Sequence, residues 1–224
     1  HIEGFKALGA DVKVSHGYVR VKAEKLKGCY FGFSKCSVGA TKTVLMAACL
    51  AEGRTILENV AQEPEVVDLI NFLNSLGAEI KGAGTSRLEI VGVKELSGGE
   101  YRIIGDRIET GTYLLAGAIT GGEVEVRDID PKFLEIFLQK LQLAGQKVEI
   151  GKNSIRLKGQ KPIKPLELST APFPGFATDL HPPISAFLTQ AEGTSFIEET
   201  IFGSRFMYIQ ELIRLGANIS TRER

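Results

Sequence analysis

An internal repeat of about 70 residues constrains the fold of this chain more than any other feature of its sequence. A Leu-Gly-Ala motif or a close relative ends an apolar-periodic segment at four glycines, Gly9, Gly77, Gly145 and Gly216. A second set of glycines follows other apolar segments at nearly the same interval, at Gly53, Gly122 and Gly193. Because the two sets agree, chance recurrence is a weak explanation. The interval is too long for an ordinary helical solenoid, so we predict an α/β chain built from duplicated units.

Each repeat carries the same predicted order of strands and helices. Alternating apolar and polar residues predict strand pairs at residues 11–14 with 18–21, 79–80 with 87–90, and 147–150 with 154–157. Alanine-rich or apolar segments predict a helix before each second-set glycine, which can end it in a left-handed conformation. Another helix is predicted to begin at Pro64 and at Pro131, where a missing N–H costs nothing. The predicted unit is strand, helix, strand, helix, strand, strand.

Composition excludes several classes of function. The chain has 27 basic and 27 acidic residues, so no overall field would recruit nucleic acid or an anionic membrane, and an anionic ligand needs a local site. No apolar stretch is long enough to span a bilayer, and no secretory signal is visible. Three cysteines, an odd number, favour free thiols in a reducing, cytoplasmic compartment. The three histidines are scattered without metal-ligand spacing, so no metal is predicted.

The start of the first helix in each repeat is a candidate anion site. The equivalent positions are Ser37, Asp106 and Ala177. A helix N-terminus presents free N–H groups and a positive dipole end, which together favour phosphate or carboxylate. Ser37 lies between Lys35 and Gly39, so a phosphate could approach the backbone there. Cys36 is either a thiolate with a lowered pKa or a small packing residue.

A proline-rich stretch leads to the third of these helix starts. Residues 162–183 contain six of the eight prolines, and long stiff loops more often serve function than mere connection. The stretch would deliver Asp179 to the helix start with little freedom, as a general base requires. The alternative is that Ser37, Thr178 and Asp179 are simply N-caps, and both interpretations stay open.

Several motifs in this order resemble the UDP-N-acetylglucosamine enolpyruvyl transferase family. They are residues 35–41 (Lys-Cys-Ser-Val-Gly-Ala-Thr), 50–53, 58–59, 63–68, 106–112, the 170–179 loop, and Ile201-Phe202 with Arg205-Phe206. The match covers nearly the whole chain, from His1 to about Ala217. The resemblance implies an α/β fold of two domains, each an inside-out α/β barrel of repeated units. The implied domains are residues 1–104 and 105–224.

The resemblance also implies a site and a reaction. The residues implied to hold UDP-N-acetylglucosamine are Lys35, Cys36, Ser37, Val38 and Gly39. Asp179 matches the carboxylate that takes the proton from the sugar 3-hydroxyl, and Ile201 a position whose backbone touches the sugar. Arg205 and Asp106 match charged residues near phosphoenolpyruvate. The implied enzyme transfers an enolpyruvyl group without a metal or organic cofactor, with no nucleic-acid or membrane partner. It carries out the first committed step of peptidoglycan precursor synthesis, which serves cell-wall biogenesis, cell shape and cell division in the cytoplasm.

Departures from the family pattern leave two alternatives. The family's catalytic loop, with its cysteine or aspartate proton donor, should precede His1, and an arginine of its phosphate clamp should follow Arg224. Cys36 does not match that loop cysteine, and Ala177 and His181 replace an expected proline and glutamine. The chain could therefore be a catalytically incomplete fragment that binds sugar nucleotide. It could also be a shikimate 3-phosphate enolpyruvyl transferase, although residues 37–41 and 174–179 resemble the nucleotide-sugar branch.

Overall fold

The structure is a computed structural model that describes residues 1–222. It divides into two compact units, one spanning His1–Ile103 and the other beginning at Ile104. The α-helices α1 to α7 are Ile2–Ala7, Val38–Ala48, Pro64–Ser75, Arg107–Thr120, Glu135–Leu143, His181–Leu188 and Ile209–Arg214. The strands β1 to β11 are Asp11–Ser15, Tyr18–Lys22, Tyr30–Gly32, Arg54–Glu58, Glu79–Lys81, Arg87–Val91, Glu123–Arg127, Lys147–Ile150, Ser154–Lys158, Glu167–Ser169 and Phe196–Glu198. The chain is thus a mixed α/β protein.

The first unit is organised around a four-stranded sheet with the order β3-β4-β6-β5. Strands β3 and β4 are parallel, whereas β4, β6 and β5 pair antiparallel. Leu57 and Leu88 face each other across β4 and β6, and both are fully buried because alternate residues of a strand point to one face. Helix α2 adds Val44 and Leu45 to the same core. Strands β1 and β2 form a separate hairpin.

The second unit has a three-stranded sheet of order β7-β9-β8 and a parallel pair, β10 with β11. Its core combines Leu114 of α4, Leu141 of α5, Ile155 of β9 and Phe187 of α6, all of which are buried. Gly111 lets α4 approach the turn before α6, because a Cβ there would meet Leu180 at 2.6 Å. The start of α6 is thereby packed against α4.

The repeated order is confirmed in most places and differs in three. All three predicted hairpins form, with the strands given above. Pro131 begins a 3₁₀ turn, Pro131–Leu134, before α5 rather than the α-helix itself. None of the second-set glycines ends its helix: α2 and α6 have right-handed C-caps, Cys49 and Thr189, before Gly53 and Gly193, and α4 has the left-handed Gly121 as its C-cap, with φ 69°.

The third difference is the strand expected before α4, which is absent from the described part of the chain. The Tyr101 hydroxyl donates to the Asp68 carboxylate at 2.8 Å, and its ring packs on Phe72. These contacts hold the preceding segment against α3, which accounts for its failure to pair beside β7.

No helix within residues 1–222 has the length and apolarity needed to cross a membrane. In the same described residues, no group of three His, Cys, Asp or Glu side chains could hold a metal ion.

Candidate functional site

The start of α2 is built as the sequence predicted, with Ser37 at the N-cap. Ser37 has extended backbone angles, φ −144° and ψ 119°, and its Oγ accepts a hydrogen bond from the Ala40 amide at 3.3 Å. The capping alternative therefore holds for the Ser37 side chain. The N–H groups of Val38 and Gly39 in the first helical turn have no partner within the helix by geometry, so they can still bind an anion.

The residues before Ser37 differ in exposure. Lys35 is exposed, and its flexible ammonium can reach a bound anion. Cys36 is half-buried, and burial together with the negative charge of Glu63 raises the pKa of its thiol. The thiolate alternative for Cys36 is wrong, because both effects oppose the charged form.

His1 belongs to this helix start, although the sequence patterns did not indicate it. Its Nδ1 lies 3.2 Å from Thr43 Oγ1, and the Thr43 hydroxyl donates to the Gly39 carbonyl at 2.9 Å. A Cβ added to Gly39 would lie 3.4 Å from His1 Nε2. The imidazole thus lies beside Gly39, at a distance where an added Cβ would make an ordinary van der Waals contact.

In the second unit, Asp106 is the N-cap of α4. One carboxylate oxygen accepts from the Ile108 amide at 2.6 Å and from the Glu109 amide at 3.0 Å. Capping alone explains why an acidic residue stands at this position. Its predicted place near phosphoenolpyruvate stays a prediction.

Asp179 is not a helix cap. It lies within a 3₁₀ turn, Thr178–Leu180, whose N-cap residue is Ala177 and which has no side-chain cap. The Asp179 side chain is 60% exposed and is paired with the Arg205 guanidinium. The capping alternative is therefore wrong for Asp179, and its carboxylate remains available to a ligand.

The loop before Asp179 is closed on itself. The Ala171 amide donates to the Phe176 carbonyl at 3.0 Å, and the Gly175 amide donates to the Pro172 carbonyl at 2.8 Å. A Cβ on Gly175 would lie 2.5 Å from Ala171 Cβ, so glycine is required by this turn. The proline-rich stretch thus presents Asp179 from a compact turn.

Arg205 brings the two ends of this region together. Its Nε donates to the Thr178 carbonyl at 3.3 Å, while its guanidinium lies over the Phe202 ring at 5.4 Å from the centroid. The arginine therefore contacts both the Asp179 turn and the loop that follows β11, which contains Ile201. A carboxylate beside an arginine can accept a proton from a ligand hydroxyl while the arginine binds an anionic group.

Beneath this surface lies a buried pair that sequence reasoning missed, Glu199 and His181. The two side chains are 0% and 1% exposed, and His181 Nδ1 lies 3.6 Å from Glu199 Oε2. Burial lowers the pKa of His181, and this effect outweighs the opposing influence of the Glu199 charge. The sequence signals near them, the proline-rich loop and the motif at residues 201–206, pointed to Asp179, Ile201 and Arg205 instead.

A family model and several named relatives each match the whole chain. The family model described as EPSP synthase (3-phosphoshikimate 1-carboxyvinyltransferase) matches residues 1–224. The UDP-N-acetylglucosamine 1-carboxyvinyltransferase of Acidobacterium capsulatum is 48% identical over 225 residues, which cover 100% of this chain and 52% of the relative. The protein of the same name from Clostridium botulinum is 50% identical over 224 residues, covering 100% and 54%. The chain thus spans about half the length of these relatives.

Solved structures show the fold. The enolpyruvyl transferase NikO from Streptomyces tendae superposes with a TM-score of 0.82 at 24% identity, over 94% of this chain and 53% of that one. An EPSP synthase from Acinetobacter baumannii superposes with a TM-score of 0.64 at 19% identity, over 93% and 51%. The mixed α/β arrangement is therefore the enolpyruvyl transferase fold.

Proposed function

The chain belongs to the EPSP synthase (3-phosphoshikimate 1-carboxyvinyltransferase) family of enolpyruvyl transferases, and on that premise we propose that it is part of a UDP-N-acetylglucosamine enolpyruvyl transferase. The observation that carries this choice is the identity of 48% and 50%, across the whole chain, to proteins named for that substrate. The likeness to the shikimate enzyme structure, at 19% identity, supports only the shared fold.

The proposed reaction joins the sugar 3-hydroxyl to phosphoenolpyruvate. Asp179 takes the hydroxyl proton as the oxygen bonds to C2 of phosphoenolpyruvate, and the methylene carbon gains a proton from a different group. Loss of a proton from that carbon and departure of phosphate then restore the double bond. Asp179 suits the role because its carboxylate is exposed, is not used as a cap, and is oriented by Arg205.

The remaining predicted residues take binding roles in the proposal. The start of α2, from Lys35 through Cys36, Ser37 and Val38 to Gly39, binds the diphosphate and uridine mainly through backbone N–H groups. In the second unit, the backbone of Ile201 contacts the sugar, and Arg205 and Asp106 lie near phosphoenolpyruvate. No metal or organic cofactor is required, because positioned charges stabilise the transition state.

The proposal extends to architecture and physiology. Residues 1–104 and 105–224 would belong to two inside-out α/β barrels, the first with the nucleotide-sugar segment and the second with Asp179. The reaction would take place in the cytoplasm as the first committed step of peptidoglycan precursor synthesis. Because the chain spans about half of its relatives, a binding-competent but catalytically incomplete fragment remains the second candidate.

A calorimetric titration tests the proposal. UDP-N-acetylglucosamine is titrated into the 224-residue chain, with shikimate 3-phosphate titrated in parallel, and phosphate release is then measured with phosphoenolpyruvate. Selective binding of the nucleotide sugar supports the proposal, and binding without phosphate release identifies the incomplete fragment. Selective binding of shikimate 3-phosphate, or no binding by either the folded chain or the intact enzyme, would overturn it.

A matched pair of variants locates the site. Lys35→Ala should weaken binding of the nucleotide sugar, because an exposed lysine at the start of α2 is lost. Lys152→Ala removes another exposed lysine, from the turn between β8 and β9, and should leave binding unchanged. Equal behaviour of the two variants would contradict a site at the start of α2.

A further inference from the structure

The carboxylate of Glu199 is the most heavily hydrogen-bonded side chain around the predicted site. One oxygen accepts from the Ile201 amide at 2.7 Å, the Phe202 amide at 3.0 Å and the Thr170 hydroxyl at 3.0 Å. The other accepts from the Thr178 hydroxyl at 2.7 Å. Burial alone would raise the pKa of Glu199, but these hydrogen bonds outweigh it and hold the pKa below its ordinary value. The group is therefore a buried, charged and well-satisfied carboxylate.

The four donors belong to three different segments. Thr170 follows β10, Thr178 begins the 3₁₀ turn that contains Asp179, and Ile201 and Phe202 lie in the loop after β11. A second set of bonds ties two of the same segments, because the Thr200 amide donates to Thr170 Oγ1 at 2.9 Å and the Thr200 hydroxyl donates to the Thr170 carbonyl at 2.6 Å. Glu199 is the group on which the segments converge.

Internal repetition places a polar or charged residue at the position equivalent to Glu199 in each repeat. The sixth residue after each second-set glycine immediately follows a strand, and these residues are Asn59, Asp128 and Glu199. Asn59 donates to the carbonyl of Phe33, the residue after the neighbouring parallel strand, at 2.8 Å. Glu199 also contacts the residue after the neighbouring parallel strand, but there it accepts from the side-chain hydroxyl of Thr170. Its longer, charged side chain adds the bonds to Thr178 and to the following loop.

Asp179 depends on this arrangement for its position. Its own side chain is exposed and is paired with Arg205, which in turn bonds to the Thr178 carbonyl. The residue before Asp179 and the backbone of Ile201 are both bonded to Glu199. Glu199 therefore links the turn that contains the predicted base to the backbone of the predicted sugar contact.

The neighbouring His181 does not alter the charge of the Glu199 carboxylate or its hydrogen bonds to the four donors. Burial lowers the pKa of His181, so the imidazole is neutral near neutral pH. On its other side, His181 Nε2 lies 3.4 Å from the Tyr208 hydroxyl, which bonds to Ser185 Oγ at 2.7 Å.

We propose that Glu199 is a positioning residue, which fixes Asp179 relative to the backbone of Ile201 through the Thr178 hydroxyl and the amides of the following loop. The inference rests on the proposed function. It acts through geometry and not through contact with the reacting atoms, so loss of Glu199 should affect turnover more than nucleotide-sugar affinity.

Kinetics of the intact enzyme test this role. Glu199→Gln keeps the shape but removes the charge and places an amide donor opposite Thr178. It should lower kcat by about 10- to 100-fold while KM for the nucleotide sugar changes by less than about tenfold. The control is Glu198→Gln, which alters the adjacent carboxylate bonded to Ser169 at 2.9 Å and should change kcat by less than about twofold.

A second pair of variants tests the positioning role without changing Glu199 itself. Thr178→Val removes the hydroxyl donor and should reproduce the loss of kcat, whereas Thr178→Ser keeps the donor and should restore turnover. Amide hydrogen exchange in the 224-residue chain should also be faster at Ile201 and Phe202 in Glu199→Gln than in Glu198→Gln.

The outcomes separate this inference from the proposed function. If the unaltered enzyme forms no enolpyruvyl product from the nucleotide sugar, the proposed function fails and the role of Glu199 fails with it. If the unaltered enzyme is active but folded Glu199→Gln turns over normally, only the positioning role is overturned. If Glu199→Gln does not fold, the Thr178 pair decides: equal kcat in Thr178→Val and Thr178→Ser overturns the role, and a slow valine variant with an active serine variant supports it.

Discussion

Replacing Asp179 with asparagine should lower turnover strongly and folding stability only slightly. The substitution keeps the size of the side chain and one oxygen that can accept from Arg205, but it removes the charge and the basicity. The carboxylate is 60% exposed, and ion pairs in exposed positions contribute only about 0–1 kcal/mol to folding. For a chain of 224 residues this corresponds to a change in Tm of no more than about 2–4 °C.

The effect on turnover should be much larger. Loss of a general base lowers kcat by about 10²-fold or more, which corresponds to about 2.7 kcal/mol of transition-state stabilisation. Affinity for UDP-N-acetylglucosamine should stay within about tenfold, because the proposed diphosphate and uridine contacts lie at the start of α2. The proposed role of Asp179 and its exposure thus predict a large kinetic defect in a protein of nearly unchanged stability.

The assay is phosphate release by the intact enzyme, with calorimetric binding and thermal unfolding of the same samples. Asp11→Asn is a matched control, because Asp11 is 62% exposed and is paired with Lys13 at 3.5 Å in the β1–β2 hairpin. It should unfold like Asp179→Asn but turn over like the unaltered enzyme. Normal kcat in Asp179→Asn would remove Asp179 from the mechanism.

Three further predictions concern stability and reactivity. Thr41→Val should lower the free energy of unfolding in urea by about 1–3 kcal/mol, because the buried Ala61 amide loses the Thr41 hydroxyl acceptor at 3.1 Å; Thr41→Ser should cost less. Cys36 should be alkylated by iodoacetamide more slowly than a free cysteine peptide at pH 8, since burial and the Glu63 charge raise its pKa; faster alkylation would contradict this. Stability should fall as the pH drops below about 6.5, because the unfolded chain binds a proton at His181 that the folded chain, with its lowered pKa, does not. His181→Gln should flatten the pH profile of Tm in that range, and an unchanged profile would count against a neutral buried imidazole.

Local patterns were sufficient to predict much of the secondary structure. The hairpins and the starts of α2 and α4 depend on alternation, glycine turns and cap residues, whose effects act within a few positions of the chain. The strand expected before α4 failed for a non-local reason. Tyr101 bonds to Asp68 on α3, and no local pattern reports a contact between residues so far apart in sequence.

For the candidate site, too, local patterns in the sequence indicated some features and only the tertiary structure showed others. The sequence indicated the start of α2 and Asp179, because a helix start and a stiff proline-rich loop can both be recognised from a few consecutive residues. It left open whether Asp179 was a cap, and the structure decided this by placing Ala177 at the cap and Arg205 beside the carboxylate.

By itself, the sequence determined that this chain is built from repeated α/β units, because the two sets of glycines recur at one interval. The tertiary structure alone decided that His1 lies beside Gly39 and that the Glu199 side chain is buried next to the turn that contains Asp179. Burial and hydrogen bonding depend on which distant segments meet. From the sequence, a single glutamate is expected to be exposed to solvent. Glu199 is instead buried, because Thr170, Thr178 and the loop after β11 meet around it and hydrogen-bond to its carboxylate.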